Sequence, residues 1–568
     1  MGRHSALTMR QTEEAWHSEI LHAGTAGKIR IEVKMERIKA LIYDKLHMPQ
    51  KRQLLILLPF ALFYCGAAIL GQLEKARTLG VWQNLCRILL WFVGSYVVLL
   101  ILCGIISGRK ESTRERREGR WYLYFLFAFV CLLCYMPYFL MYFPGWLNND
   151  AVWQIEQILG WAPGSNHHPY YHTLLMKCFF MAGYHLFGTY TAGAAFYTFC
   201  QMAVMAFTFA FFLYWLYRRG TRLPWLLLAF VFYAALPVNG MQAICMGKDA
   251  FFTAALLVFA WMTVEFDLDA HAGTAGKRAA WFMAALLVCL LRSNGIFIFL
   301  GTALVLILVK VRRGRFPVRT AACAAAVLAC YLVCHGPVLR ALHVQQPDTI
   351  ESLTMPVQHI LCAYLKGGHL TEEEIAMIDR VAPADQIGEY YNPWFFDIVK
   401  NFIREQGDQQ VIADHKWDYF RLWLRVGLRN PFQYLVAQVR QTSGYWAMGI
   451  KDYQYLYSEY YMVDNPFGIT TQRQLFTYDN ELAMRDFLMG FQDLYNKVWS
   501  LGMNTWLMVF GIAYVAYRRK SAMIYVPFIM LLATLLLATP VYNEFRYAYG
   551  VFAAFPLLFA CSFGGEER

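Results

Sequence analysis

The side chains that could do chemistry fall into five short groups separated by apolar sequence. The first group is centred on Asp150, whose carboxylate could act as a general base towards a hydroxyl. If a helix begins here, Gln154 and Gln157 follow at i+4 and i+7 and share one face with Asp150. The alternative is that Asp150 only caps that helix. Together with Asn149, this group forms a candidate substrate-binding surface.

The second group contains two adjacent histidines, His167 and His168, within the run 166–169, and His172 follows shortly after. Histidine is a common metal ligand, but two adjacent side chains rarely converge on one ion. Hydrogen bonding to a polar substrate, or packing at the membrane interface, is therefore favoured over metal ligation.

Two further groups place cations at the ends of apolar segments. Lys248 is followed by Asp249, and Arg292 is followed closely by Asn294. Lys248 is placed to bind a phosphate; alternatively, Asp249 caps a helix and Lys248 extends towards the interface. An arginine at the break between two apolar segments is costly unless it is paired or faces a polar cavity, so Arg292 favours a functional site.

The fifth group lies between the last two apolar segments and contains Glu544, Arg546 and Tyr547. Glu544 and Arg546 could simply neutralise each other. The guanidinium of Arg546 also suits bidentate contact with a phosphate. Both interpretations remain open from the residues alone.

The elements that position these groups are predicted to be membrane helices. Of the 568 residues, 58% are hydrophobic and 16% charged, whereas soluble chains have about 45–50% and about 25%. The apolar residues form continuous helix-length blocks, which predicts an all-α polytopic membrane protein with about 12 transmembrane helices. The predicted spans are 53–71, 88–107, 121–143, 192–216, 223–242, 249–266, 280–293, 295–310, 320–338, 498–516, 522–538 and 548–563. Segment 173–188 is expected to lie in the interface, or else to form a thirteenth span.

Basic residues predict the orientation. The net charge of +12 is concentrated beside the apolar blocks, which indicates topology and contact with anionic lipid rather than nucleic acid. If the spans alternate, the basic loops share one side, predicted to be cytoplasmic, together with both termini. The five polar groups then share the external face. The basic residues are Arg109, Lys110, Arg114, Arg116, Arg117, Arg120, Arg218, Arg219, Arg222, Arg312, Arg313, Arg315, Arg319, Arg518, Arg519 and Lys520.

Five regions are expected along the chain. One is a mostly helical, extracytoplasmic domain packed on the membrane face, and no cleavable signal peptide is expected before the first span. The fourteen cysteines lie mostly in apolar blocks and form no zinc-binding pattern. The repeated heptapeptide at 22–28 and 271–277 has glycines too close for a P-loop, which favours a duplicated linker. The regions are a cytoplasmic segment 1–52, a two-helix membrane module 53–120, a membrane core 121–339 with external loop 144–191, the extracytoplasmic domain 340–497, and a three-helix part 498–568.

The pattern resembles the integral-membrane glycosyltransferases of the GT-C fold class, and more closely a bacterial multi-pass family grouped with that class. The residues that carry the resemblance are those at 144–154, 166–169, 248–249, 292–295 and 544–547. The resemblance implies an acidic residue in the first large external loop and a polyprenyl-phosphate sugar as donor. One departure is that Asp150 has no adjacent second acid, so a divalent metal is only weakly supported and no cofactor is required.

The mechanism that the resemblance implies is a single inverting displacement. Asp150 would act as general base on an acceptor hydroxyl, and an oxocarbenium-like sugar would pass to the acceptor. Lys248, Arg292 and Arg546 would stabilise the departing polyprenyl phosphate, and either adjacent histidine would orient hydroxyls. Expected partners are membrane lipid, the polyprenyl-phosphate donor and an envelope acceptor of unknown identity.

Two other functions compete with this one. A transporter or flippase for a lipid-linked saccharide would line a path through the bilayer with its charges, and internal repeats would favour it. A non-catalytic scaffold would use the aromatic residues of the external domain to bind a partner. The scaffold hypothesis expects Asp150, Lys248, Arg292 and Arg546 to lie far apart.

Overall fold

The computed structural model describes residues 51–108, 116–268, 274–314, 317–450 and 462–563, and the structure is 77% helical. The chain is an all-α polytopic membrane protein. Residues 1–50 of the predicted cytoplasmic segment 1–52, the first heptapeptide copy and four of the basic residues lie outside the described residues. Those four are Arg109, Lys110, Arg114 and Arg315.

Eight helices in the described residues are long and apolar enough to cross a membrane, and two bent helix pairs would raise the number to ten. Every span predicted from the sequence overlaps a helix. The helix at 275–291 and the apolar segment 523–538 are shorter than these candidate spans, which all have at least 18 residues. The predicted number of twelve therefore stays a prediction.

The first described elements of the chain form a helical hairpin. Helices α1 (Lys51–Leu70) and α3 (Val81–Ser107) pack against each other and are joined by the short helix α2 (Leu73–Thr78). Hydrogen bonds from Tyr96 Oη to the Leu54 carbonyl (3.2 Å) and from Tyr64 Oη to the Trp506 carbonyl (2.7 Å) attach the hairpin to itself and to the C-terminal helices. Helix α2 thus connects two candidate membrane spans.

In the described residues between 122 and 341, eleven helices contribute to the bundle. The two π-helical turns Val231–Ala235 and Cys334–Val338 interrupt this series. The helices are α4 (Tyr122–Met141), α5 (Asn149–Leu159), α6 (Tyr170–Phe187), α7 (Tyr190–Arg218), α8 (Leu223–Phe230), α9 (Pro237–Ile244), α10 (Lys248–Leu268), α11 (Ala275–Leu291), α12 (Gly295–Arg312), α13 (Val318–Val333) and α14 (Leu339–Ala341).

The bundle has two chemically different ends. At one end, which we call the basic end, Arg117 donates a backbone hydrogen bond to Arg218 (3.1 Å), and Arg313 pairs with Asp267 (2.7 Å). The other end carries the long helical region that follows residue 341, and we call it the insert end. Here the chain turns at residues 144–150, 245–249, 292–295 and 539–546. All five polar groups singled out in the sequence therefore belong to the insert end or to the loop leading from it.

A two-stranded parallel sheet joins two turns at the insert end. Strand β1 (Trp146–Leu147) pairs with β2 (Cys245–Met246), so that Trp146 lies opposite Cys245 and Leu147 opposite Met246. Gly145 precedes β1 with a φ of +132°, and a Cβ there would lie 2.4 Å from Thr198 Oγ1. Only glycine fits this position without strain. The pairing brings the starts of α5 and α10 side by side.

The turn between α11 and α12 is tight. The sequence predicts two short segments, 280–293 and 295–310, and the structure has two packed helices that separate at Arg292–Asn294. A Cβ on Gly295 would lie 1.8 Å from the Val288 carbonyl oxygen. The close approach of the two helices thus depends on glycine, and it holds Arg292 at the insert end.

The region between α14 and the last membrane helices, which we call the insert, forms a helical unit with its own apolar core around Ile350, Ile378 and Phe402. It docks on the turn before the last helices, where Phe396 N–H donates to Pro540 O (2.9 Å) and Tyr542 N–H donates to Trp394 O (3.0 Å). Its helices are α15 (Thr354–Leu365), α16 (Glu372–Asp379), α17 (Ile387–Tyr390), α18 (Phe396–Gln406), α19 (Gln410–Asp414), α20 (Lys416–Arg429), α21 (Pro431–Thr442) and α22 (Tyr478–Val498).

Four further helices of the membrane part lie in the described residues from 501 to 563. They are α23 (Leu501–Tyr517), α24 (Val526–Ala538), α25 (Phe545–Ala553) and α26 (Phe555–Phe563). Helix α25 packs against α10 and α24, and α24 also packs against α12. These contacts place the start of α25 beside the start of α10.

Replacing Gly295 with alanine should lower the free energy of unfolding by about 1–3 kcal/mol, because the new methyl group overpacks the α11–α12 turn. Gly66→Ala is the matched control, since nothing lies within 4 Å of a Cβ at that position in α1. Thermal unfolding in detergent measures both. Equal stability of the two variants would contradict the described packing.

Candidate functional site

Asp150 and Lys248 form a direct ion pair at the insert end. Lys248 Nζ donates a hydrogen bond to Asp150 Oδ2 (2.9 Å) and a second to His168 Nδ1 (3.2 Å). The β1–β2 pairing explains the meeting, because Asp150 lies three residues beyond β1 and Lys248 two residues beyond β2. Since His168 Nδ1 accepts this hydrogen bond, the proton of the neutral ring lies on Nε2, 4.0 Å from Asp150 Oδ1.

Helix capping does not account for Asp150. The N-cap of α5 is Asn148, whose side chain accepts a hydrogen bond from the Ala151 amide (2.9 Å). Asp150 lies in the first turn, where the helix dipole favours its negative charge. Its carboxylate is therefore available for contacts outside its own helix.

A continuous chain of charges extends from Asp150 into the protein. Arg546 Nη1 lies 3.8 Å from Asp150 Oδ2 and 3.7 Å from Asp249 Oδ2, while its Nε donates to Glu544 Oε1 (3.0 Å). Arg292 Nη1 pairs with Asp249 Oδ1 at 2.8 Å. We call this set of six residues the charge cluster. It contains three cations and three anions, namely Lys248, Arg292, Arg546, Asp150, Asp249 and Glu544.

Burial divides the charge cluster into two parts. The side chains of Arg292 and Asp249 are only 8% and 9% exposed, whereas those of Asp150 and Arg546 are 29% and 25% exposed. The Arg292 guanidinium also lies over the Tyr547 ring, 4.9 Å from its centroid. Arg292, Asp249 and Tyr547 thus form the inner support, and Asp150 and Arg546 form the accessible surface.

The electrostatic environment sets the ionisation of the accessible groups. Partial burial would raise the pKa of the Asp150 carboxyl, but Lys248, with His168 and Arg546, holds that pKa well below its ordinary value. Burial and the nearby charge of Lys248 lower the pKa of His168 to about 3. Asp150 is therefore an anion and His168 a neutral ring at physiological pH.

Gln154, predicted as a substrate ligand, instead lies in a buried network behind the cluster. Its amide donates to Thr173 Oγ1 (2.8 Å) and His172 Nδ1 (3.0 Å), and His172 Nε2 lies 3.0 Å from Tyr197 Oη. Tyr197 bonds to Gln201, whose amide donates to the Ala243 and Cys245 carbonyls. The network fixes the turn that carries Lys248.

Two other predicted ligands also lie apart from the accessible surface. The Asn294 amide donates to Thr534 Oγ1 (2.7 Å) and so attaches the α11–α12 turn to α24. Asn149 is exposed at the first residue of α5, and among the described contacts its side chain joins no ion pair or hydrogen bond. Neither residue is brought to Asp150 by a direct contact.

His167 faces the insert rather than Lys248. Its ring lies near that of Trp153, with centroids 5.8 Å apart, and its Nδ1 is 3.9 Å from Glu351 Oε2. Sequence reasoning missed Trp153 and Glu351 as neighbours of the site. Trp153 could have been found, because it follows Asp150 by three residues on one helix, but nothing local connects Glu351 to residue 167.

The group His167, Asp348 and Glu351 has ligand atoms within 4.8 Å of one another, as a metal site would. Both carboxylates are already paired, however. Arg404 contacts Asp348 at 2.7 Å and Glu351 at 2.8 Å, and Lys400 contacts Glu351 at 3.1 Å. Two cations on two carboxylates leave no charge to balance a divalent ion, so the group is explained as a network of ion pairs.

The sequence matches the model of one protein family over most of its length. The model of a family of unknown function, DUF6020, matches residues 164–566. The chain belongs to the DUF6020 family. No curated protein and no solved structure matches it. The DUF6020 match includes His167, His168 and all of the charge cluster except Asp150, which lies before the matched region.

The Asp150–Lys248 pair should be measurable in a double-mutant cycle. Asp150→Asn should lower the free energy of unfolding by about 1–3 kcal/mol, because the Lys248 ammonium then lacks its anionic partner. Adding Lys248→Met should recover part of that loss. The control pairs Asp150→Asn with Lys277→Met, which removes a distant surface ion pair with Glu265, and it should be additive. Additivity in both cycles would contradict the contact.

His168 should make the protein sensitive to acid. The unfolded chain binds a proton on this residue below its ordinary pKa of 6.5, but the folded state does so only below about 3. Stability should therefore fall as pH decreases between these values, by at most about 1.4 kcal/mol per pH unit for this group.

Thermal unfolding across this pH range tests the point. His168→Gln should show a shallower decrease than the wild type, because the group responsible is gone. The exposed His185→Gln variant is the control and should follow the wild type. A wild-type slope in His168→Gln would show that other groups cause the acid sensitivity.

Proposed function

We propose that this protein is an integral-membrane glycosyltransferase of the GT-C type. It transfers a sugar from a polyprenyl-phosphate donor to an acceptor hydroxyl on the external face of the membrane. The observation that carries the proposal is the partly exposed Asp150 carboxylate, which Lys248 contacts and Arg546 approaches at the end of a membrane-helix bundle.

Lys248 and Arg546 are suited to bind the donor phosphate. An ammonium group recognises phosphate as a point charge, and a guanidinium recognises it through several directed N–H groups. Arg546 uses its Nε on Glu544, but its Nη1 lies 3.7–3.8 Å from both aspartates, beyond ordinary hydrogen-bond length. A phosphate oxygen can therefore take this direction without displacing a close partner.

Donor binding would activate Asp150 as a base. A carboxylate with a strongly lowered pKa is a weak base, so the resting ion pair keeps Asp150 ionised but unreactive. When the donor phosphate draws Lys248 and Arg546 towards itself, Asp150 loses the charges that lower its pKa. Its basicity then rises only in the loaded site.

The reaction proceeds with balanced charge. The acceptor hydroxyl attacks the anomeric carbon, its proton passes to Asp150, and the bond from the anomeric carbon to the phosphate oxygen breaks. The phosphate keeps the electron pair and gains negative charge as Asp150 becomes neutral. The charge cluster thus acquires a net positive charge at the moment when the leaving group needs it, which stabilises the transition state rather than the bound substrate.

The position of the charge cluster suits a lipid-linked donor. Lys248 begins α10 and Arg546 lies in the first turn of α25, and both helices belong to candidate membrane spans. A phosphate at this level lets the polyprenyl chain remain in the bilayer. The basic loops at the opposite end of the bundle favour an external position for the site by the positive-inside rule.

The scaffold hypothesis gains no support from this geometry, because it expects the four charged residues to be scattered. Asp150, Lys248, Arg546 and, through Asp249, Arg292 form one chain of contacts instead. A transporter would need charges along a path through the bilayer, whereas this cluster lies at helix ends.

Asp150→Asn should reduce sugar transfer at least about a hundredfold, which is the lower range for removal of a general base. Proteoliposomes carrying radiolabelled polyprenyl-phosphate hexoses would be assayed for label transfer and for release of polyprenyl phosphate. Glu372→Gln, at an exposed position of α16, is the control and should retain full activity. Unchanged transfer in Asp150→Asn, with normal folding, would overturn the proposed base.

Phosphate recognition can be tested without knowing the sugar. Binding of polyprenyl phosphate, measured by native mass spectrometry, should weaken about tenfold to a hundredfold in Lys248→Met, because a charge-assisted hydrogen bond contributes about 1.5–3 kcal/mol. Lys277→Met, at the basic end, should bind as the wild type does. Equal binding by all three proteins would remove Lys248 from the phosphate site.

A further inference from the structure

Helix α20 (Lys416–Arg429) of the insert has two apolar faces, which a helix on the surface of a soluble domain does not need. One face is buried, where Leu422 and Val426 pack against α15. The opposite face carries four apolar side chains, spaced by three, four and four residues, which places them on one side of the helix. All four are exposed, and no element of the described chain covers them. They are Trp417, Phe420, Leu424 and Leu428.

The exposure of this face is large. Trp417 and Leu428, near the two ends of the helix, are 74% and 75% exposed. Leaving such side chains in water forgoes about 25 cal/mol for each Å² of apolar surface. A contiguous exposed apolar stripe of this kind indicates a binding surface. We call these four residues the α20 stripe.

The α20 stripe lies close to the level of the membrane surface. Phe432, one turn beyond Leu428, is exposed on α21, and the guanidinium of Arg77 lies over its ring at 5.2 Å. Arg77 belongs to α2, which joins the spanning helices α1 and α3. An ion pair between Arg440 and Glu74 adds a second link from α21 to α2.

A further contact anchors α21 to the membrane part. Gln438 donates a hydrogen bond to the carbonyl of Leu536, near the end of the apolar helix α24 (2.7 Å). The neighbouring Leu537 is 73% exposed. Helix α21, which follows α20, is therefore attached to a membrane helix at a point where another apolar side chain is exposed.

Charge beside the α20 stripe indicates which surface it meets. Lys416, Arg421 and Arg425 are exposed on the same helix, and Arg421 lies 3.7 Å from Asp418. An apolar stripe with an aromatic end and basic flanks is the pattern of helices that lie in the interface of anionic membranes. Tryptophan in particular prefers this boundary.

We propose that α20 is a membrane-interface helix, whose stripe enters the lipid headgroup region while its basic side chains contact anionic phospholipid. The insert is then held to the bilayer by lipid as well as by protein. Because α20 packs on α15, and the 3₁₀ turn Thr349–Ser352 with Glu351 lies just before α15, this attachment fixes the part of the insert that faces His167. The proposal does not depend on the reaction proposed above.

Spin-label accessibility in the full chain tests this directly. Leu424→Cys and Leu428→Cys would be labelled with a nitroxide in a background where the exposed Cys86 and Cys178 are replaced by serine. The unmodified background serves as the blank, and Glu372→Cys on α16 serves as the water-exposed control. The protein would be reconstituted in liposomes of phosphatidylglycerol and phosphatidylcholine.

We expect nitroxides at positions 424 and 428 to collide several-fold more often with oxygen, which is concentrated in lipid, than with a water-soluble nickel chelate. A nitroxide at position 372 should collide more often with the nickel chelate. High accessibility to the nickel chelate at 424 and 428 would place the stripe in water and overturn the proposal. Low accessibility to both reagents would show that protein covers the stripe, which would also overturn it.

A label-free measurement avoids any effect of the probe on folding. The melting temperature of the wild type should rise when phosphatidylglycerol replaces phosphatidylcholine, and Arg425→Gln should gain several-fold less. Lys277→Gln, at the basic end of the bundle, is the charge-matched control and should gain as the wild type does. An equal gain in Arg425→Gln and the wild type would argue against lipid contact by α20.

Discussion

The ion pair between Asp150 and Lys248 is the interaction on which the rest of the site depends. Removing a carboxylate and an ammonium from water costs several kcal/mol for each ion, so neither charge is stable at a membrane edge without close partners. Both charges have more than one close polar neighbour. Lys248 contacts Asp150 and His168, and Asp150 also lies near Arg546, which in turn lies near Asp249. The result is an electrically balanced cluster, whose balance a single added proton or phosphate would change.

The surrounding structure serves to hold that pair in place. The β1–β2 pairing aligns the two turns, and the buried network from Gln154 to Gln201 satisfies the carbonyls of the turn that precedes Lys248. Such a network is effective only when every member is bonded, because an unpaired buried polar group costs about 1–3 kcal/mol. The insert holds the turn that precedes Glu544 and Arg546, because its residues form hydrogen bonds with residues 539–542. Support and reactive surface are thus supplied by different residues.

Much of the architecture could be predicted from the sequence, because helix-length apolar blocks and basic loops report directly on membrane insertion. Asp150, Lys248, Arg292 and Arg546 stand out in the sequence as charges at helix ends, and the structure brings them into one chain of contacts. The two-residue strands could not be predicted, since they are too short for any periodic pattern. Gln154 was expected to meet substrate, but helical spacing alone does not reveal which face turns inwards. Contacts such as His167 with Glu351 depend on tertiary packing across 184 residues.

In the reaction proposed for this member of the DUF6020 family, Lys248 exchanges Asp150 for a phosphate. A structure determined by electron cryomicroscopy with polyprenyl phosphate bound would test this most directly. We expect a phosphate oxygen within about 3 Å of Lys248 Nζ and next to Arg546 Nη1, with a Lys248–Asp150 distance longer than the present 2.9 Å. A phosphate bound elsewhere, with the Lys248–Asp150 pair unchanged, would contradict it.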